Sequence, residues 1–175
     1  IDGSAYSFID RQQVLYSGYT LEDMSDYGVL ASILLDNSTD IESRMTYWHM
    51  LSGTKKHSFT ETDVRKGQII AGGGELTVYV PLLGAVVGQH LDKYLPLGQL
   101  TASDSLRLEL TLASTGAPFR TVNDTDLGNF EIKDISYEAH IVKLSDDAEA
   151  MVRRSISGGK YRLHGDTYRS FNQTI

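Results

Sequence analysis

The stretch LRLELTLAS, residues 106–114, sets Leu106, Leu108, Leu110 and Leu112 against Arg107, Glu109 and Thr111. A strand has a side-chain period of two, so this pattern predicts one buried and one wet face. Such a strand needs neighbours to pair with and an apolar layer over its leucines. Candidate neighbours recur along the chain. Residues 6–16, YSFIDRQQVLY, read as a strand with a polar middle, broken by Gly18. In 75–80, Leu76, Val78 and Val80 alternate with Glu75, Thr77 and Tyr79. FEIKDISYEAHIVKL, residues 130–144, is a long strand with a phase slip. Phe130 and Ile132 point one way, then Ile135, Tyr137, Ala139 and Ile141 run one residue out of step, which predicts a β-bulge near Lys133–Asp134. KYRLH and TYRSFNQTI, near the end, are two further short strand candidates.

Helical signals sit between these strands. TLEDMSDYGVLASILLD places Leu21, Met24, Tyr27, Ala31 and Leu34 on one helical face, and Thr20 and Asp23 have capping-box spacing. A second helix is expected from Ser38 or Thr39 to Leu51, with Ile41, Met45, Trp48 and Met50 as its apolar positions and Gly53 closing it. SDDAEAMVRRSISGG predicts a third, capped by Ser145, acidic in its first turn and ended by Gly158–Gly159. The polar, Gly-rich 53–74 and the turn-forming GAPFRTVNDTDLGN read as loops. No repeat or linker divides the chain, so one β-dominated domain with two or three helical connections is expected.

Between Pro81 and Pro96 lies an apolar run with few charges. Pro81, Gly84 and Gly88 interrupt it, and it is shorter than a bilayer span requires. It is expected to be a compact connection in which Val86, Val87 and Leu91 are buried by this chain or a partner. Tyr94, Leu95 and Leu97 would anchor the chain before the next strand. These six are the candidate packing or subunit-interface residues.

The composition limits the chemistry. A length of 175 residues suits one domain, and 41% hydrophobic with 22% charged residues is ordinary for a globular chain. The net charge is −7, and the basic residues are isolated pairs such as Lys55–Lys56 and Arg153–Arg154, which argues against direct nucleic-acid binding. With no cysteine there is no disulfide, thiol nucleophile or Cys-based zinc site. The chain begins at Ile1 with no signal-peptide pattern and ends at Ile175 in a β-rich stretch, so a segment of a longer protein is expected.

Catalytic signatures are missing: no nucleophile elbow, P-loop, H-E-x-x-H or G-x-G-x-x-G occurs. Gly72–Gly74 lead into a strand rather than a helix, unlike a phosphate cradle. His49, His57, His90, His140 and His164 are dispersed, and His140 should face outward. Asp124 and Asp126 near Gly128 lack calcium-loop spacing and read as a turn. Three glycosylation sequons, at Asn37, Asn123 and Asn172, are chance matches in the absence of a secretory signal, and the ten tyrosines suit a half-buried sheet. No catalytic, cofactor-binding or metal residue is assigned, and no cofactor or enzymatic activity is expected.

Four blocks in this order, SFIDRQQVLYSGYTLEDMSDYGVL, VYVPLLGAVVGQHLDKYLPLGQLTASDSLRLELTLAS, FEIKDISYEAHIVKLSDD and GKYRLHGDTYRSFNQTI, carry a resemblance. Together they resemble a segment of the jelly-roll major capsid proteins of eukaryotic DNA viruses, of the virophage and Polinton-like, double-jelly-roll lineage. The resemblance implies a mainly β fold, an antiparallel jelly-roll β-sandwich with two or three short helices in its connections. It implies a single jelly-roll-type domain over residues 1–175 within a longer capsid chain, since 175 residues is too short for two rolls. It further implies a structural protein of the virion that assembles with copies of itself, as trimeric capsomers, and with other capsid proteins into an icosahedral shell. A membrane inside that shell is compatible with it, with no span in this chain. A lectin-like β-sandwich is the alternative, supported by the tyrosines and the Asp124/Asp126 loop. A cupin-like enzyme would need clustered histidines that the sequence does not supply.

Overall fold

A two-residue turn organises the N-terminal part of the chain. In the computed structural model, which describes residues 4–43, 46, 73–88, 92–100, 105–114, 131–157 and 162–169, β1 (Ile9–Tyr16) and β2 (Tyr19–Ser25) form an antiparallel hairpin. Ser17 and Gly18 join them with φ of 50° and 78°, the positive pair that a type I′ connection requires. β3 (Leu106–Leu112) pairs antiparallel with the other side of β1, giving the order β2–β1–β3.

Two irregularities decide which side chains face inward. Register shifts between Val14 and Leu15, where Leu21 is the extra residue on β2. It shifts again between Ile9 and Arg11, where Asp10 is extra on β1. A bulge advances a strand by one residue and reverses its facing. Between them, Gln12 lies opposite Met24 and Val14 opposite Glu22, and all four are buried. The leucines of β3 share this face through the pairs Tyr16–Leu106, Val14–Leu108 and Gln12–Leu110. Their cover thins outward: Leu106 and Leu108 are half-buried, whereas Leu110 and Leu112 are 38% and 48% exposed.

The core lies over the β1–β2 side of that face. It comprises Tyr6, Ile9, Met24, Tyr27, Ala31 and Leu35. Tyr6 belongs to a 3-10 turn, Ala5–Phe8, capped by the Ser4 hydroxyl. α1 (Tyr27–Ser38) buries Tyr27, Ala31 and Leu35, a spacing of four that lines one helical face. Residues 20–25, expected to open this helix, are instead strand β2, so Thr20 and Asp23 form no capping box. Leu21 is exposed on its bulge, and the helix starts after Asp26, a left-handed residue without a side-chain capping bond. The hairpin turn and ladder prevail there over helical spacing.

α1 runs through Ser38, and Asp40, not Ser38 or Thr39, caps the short helix α2 (Ile41–Ser43) by accepting from the Ser43 amide at 2.6 Å. The rest of the expected second helix, save Thr46, lies outside the described residues, as do residues 53–72 and the loop holding Asp124 and Asp126. α3 (Asp146–Ser157) begins where the sequence predicts, with the Ser145 hydroxyl accepting from the Ala148 amide at 3.4 Å. Arg153 and Glu149 pair along it at 2.7 Å.

Residues 75–80 and 131–144, expected as strands, join no ladder among the described residues. Both run without regular secondary structure, and all of 131–144 is exposed. A bulge needs a partner strand, and Lys133–Asp134 has none among the described residues; the chain does break there, with Asp134 at φ 52°. Of the two short strands expected near the end, residues 160, 161 and 170–175 lie outside the described residues, and the described 162–169 contribute a single bridge residue, Gly165. The fold is therefore one three-stranded antiparallel sheet with two longer helices. A second sheet facing it is not formed among the described residues.

Gly28 permits α1 to touch the 3-10 turn. A Cβ on it would lie 2.8 Å from the Tyr6 carbonyl oxygen and 3.1 Å from Ser7 Cα. Alanine gains about 1 kcal/mol in helix propensity. Backbone atoms cannot rotate away, however, and overpacking of this kind costs about 1–3 kcal/mol. Gly28→Ala is therefore expected to lower unfolding stability in a urea titration; equal or greater stability would show that the approach is looser.

Candidate functional site

Pro81 has no amide hydrogen, and residues 81–86 pair with no strand among the described residues, so their backbone groups need other partners. Four side chains from the N-terminal elements supply them. The Tyr6 hydroxyl donates to the Pro81 carbonyl at 2.6 Å. The Tyr27 hydroxyl accepts from the Leu83 amide at 2.7 Å, and Gln12 Nε2 donates to the Leu83 carbonyl at 2.7 Å. Glu22 accepts from the Ala85 amide through Oε1 at 2.5 Å and from the Val86 amide through Oε2 at 3.0 Å.

This clamp is dry. Tyr6, Gln12 and Tyr27 are fully buried and Glu22 is 4% exposed. The tyrosine rings meet at a tilt with centroids 6.1 Å apart. Burial, and secondarily the neighbouring Tyr27, push the Tyr6 hydroxyl well above its ordinary range. Burial also pushes Tyr27 up, to about 12, with the Glu22 charge adding and the Leu83 amide opposing. Gly84 brings the backbone down onto the carboxylate. Its φ is 126°, and a Cβ there would lie 3.0 Å from both Glu22 Oε2 and Met24 Cε. Gln12 Oε1 is buried without a hydrogen-bond partner among the described residues.

The arrangement binds rather than reacts. Both oxygens of Glu22 are occupied by amides, and the hydroxyls of Tyr6 and Tyr27 are engaged with backbone. It holds a peptide segment, bent from Gly84 onward and supplied in cis. Of the expected packing residues, Val86 and Val87 are half-buried here and Val86 is clamped through its amide. Leu95 is also half-buried, but Tyr94 and Leu97 are 72% and 50% exposed, and Leu91 lies outside the described residues. The next residues are tied down separately: the Asp92 amide donates to the His164 carbonyl, and the His164 amide donates to Asp92 Oδ1, both at 2.9 Å. That second bond holds the Asp92 carboxyl below its ordinary range.

His140 is exposed on the 131–144 segment, and His49, His57 and His90 lie outside the described residues. Among the described residues no three His, Asp or Glu side chains converge as metal ligands, and no helix is long and apolar enough to cross a membrane. A shallow cleft of 380 Å³ runs along β2, between residues 20–25 and the side chains of Thr167 and Arg169. Its Asp23 is engaged by Arg11 in a two-pronged pair at 2.8 and 2.6 Å. The sequence reading missed Gln12 and Glu22 as a pair. YSGY signals a hairpin turn, but Glu22 joins the face of Gln12 and Val14 only through the bulge at Leu21, which no local signal marks. No protein-family model, curated protein or solved structure matches the chain.

Glu22→Ala removes two charge-assisted bonds and leaves two amides unpaired, an expected loss on the order of 3 kcal/mol. Glu22→Gln should fall between, because one amide oxygen replaces two carboxylate oxygens. Hydrogen exchange at Ala85 and Val86 checks both; unchanged protection in Glu22→Ala would refute the clamp.

The raised tyrosines predict alkaline sensitivity. A hydroxyl ionising near 10.0 when unfolded and near 12 when folded stabilises fully below the lower value. That contribution is lost as pH rises through the window between them. Thermal stability should therefore fall from about pH 10 to 12, with late tyrosinate absorbance rising together with loss of circular dichroism. Tyrosinate formation complete before any unfolding would contradict this.

Proposed function

We propose that this chain is a structural protein of a viral capsid, part of a jelly-roll sandwich to which the β2–β1–β3 sheet contributes. Its role is self-assembly rather than catalysis. Copies of itself, as trimeric capsomers, and other capsid proteins are its partners in the virion, and it contacts no genome directly. The resemblance of the four sequence blocks to double-jelly-roll capsid proteins gives the class.

The physical observation supporting an assembly role is the apolar surface left open on residues 131–144. Ile135, Tyr137 and Ile141 are 73%, 59% and 78% exposed, with Val142 and Leu144 beside them. An apolar row of this extent marks a surface that a partner covers.

The purified chain is expected to associate with rising concentration through interfaces above ~1,000 Å², visible by light scattering and electron microscopy. A stable monomer at high concentration, at both low and high salt, would overturn the proposal.

A further inference from the structure

The outer edge of β3 carries no strand among the described residues, and its Leu110 and Leu112 are partly bare. Residues 135–141 have the complementary property. They are exposed, pair with no strand among the described residues, and alternate Ile135, Tyr137, Ala139 and Ile141 with Ser136, Glu138 and His140. We infer that residues 135–139 of a second copy of this chain add as an antiparallel strand to the free edge of β3. This rests on the self-assembly reading and names the contact.

Charge selects the register. Keeping apolar opposite apolar allows only shifts of two residues. One register sets Arg107 opposite Glu138, with Leu106, Leu108 and Leu110 against Ala139, Tyr137 and Ile135. Sliding two residues one way sets Glu109 opposite Glu138, a like-charge pair directly across the strands. Sliding two the other way sets Glu109 against Asp134, and sliding four the first way sets Lys143 against Leu106. In the favoured register, pairing stops at Ile135, where the positive φ of Asp134 breaks the extended chain. Added strands of this kind gain main-chain hydrogen bonds together with alternate side-chain contacts. Arg107 is well exposed, and among the described residues its guanidinium bonds only its own strand's Glu109, at 3.3 Å.

The full chain has no cysteine, which permits a direct test at exposed positions whose side chains take no part in the clamp. Glu109 and Ser136 are directly opposite in the favoured register. Mixed Glu109→Cys and Ser136→Cys chains should form a disulfide-linked heterodimer on mild oxidation. Arg107→Glu and Glu138→Arg should each weaken self-association about fivefold, and the double variant should restore it. Cross-linking only within a chain carrying both cysteines, or single variants that associate like the parent, would overturn the strand pairing. The latter result leaves the capsid reading standing. Cross-linked dimers that build no larger shell keep the pairing and defeat the capsid reading.

Discussion

The carboxylate of Glu22 is the point on which the described fold turns. It is a charge-bearing side chain on a core face, made tolerable by two backbone amides, from Ala85 and Val86. Those amides lie 63 and 64 residues away, so the bond closes a long loop. Closing one such loop is entropically costly, but further ties across the same gap add little extra cost. Gln12, Tyr6 and Tyr27 provide them, with separations of 71, 75 and 56 residues. Losing any one tie leaves a buried polar group exposed to the same low dielectric that strengthens the others.

The clamp also answers why an acidic chain carries an apolar run between prolines. A segment that satisfies its backbone through a ladder is constrained to a strand's period. Residues 81–86 instead have the Pro81 and Leu83 carbonyls and the Leu83, Ala85 and Val86 amides bonded by side chains of other elements, so their own side chains are free to be apolar at successive positions. Leu83, together with Val80 before the proline, packs on the core. The arrangement requires two polar residues, Gln12 and Glu22, on a face that would otherwise be aliphatic. Gln12 Oε1 remains without a partner among the described residues, the residual cost of that substitution.

This division explains what could be read from the sequence. The β3 alternation and the capped helix α3 were legible because each signal is local and complete within one element. The hairpin was half legible: Gly18 marked its turn, but Leu21 and Met24, three apart with Leu21 on a bulge, broke the strand alternation and imitated a helix. The clamp was not legible, since it joins residues more than 50 positions apart and its members have no shared spacing. For 75–80 and 131–144 the alternation indicated a surface to be half covered but not what covers it. The described structure leaves both segments outside the sheet.

The two outer edges of the sheet differ in a way that bears on assembly. Edge strands are blunted by bulges, charges or an overlying segment. β2 has a bulge at Leu21, and Thr167 and Arg169 stand beside it while Tyr168 packs on the core. β3 has seven regular residues, no proline within them, and leucines that lose their cover toward one end. An isolated globule gains nothing from so regular an edge, left without a strand among the described residues, and risks indiscriminate pairing through it. Arg107 and Glu109 limit that risk by disfavouring registers that oppose like charges. A specific partner, with its acidic residue at the matching position, meets no such penalty, so the same two charges that guard the edge also define what fits it.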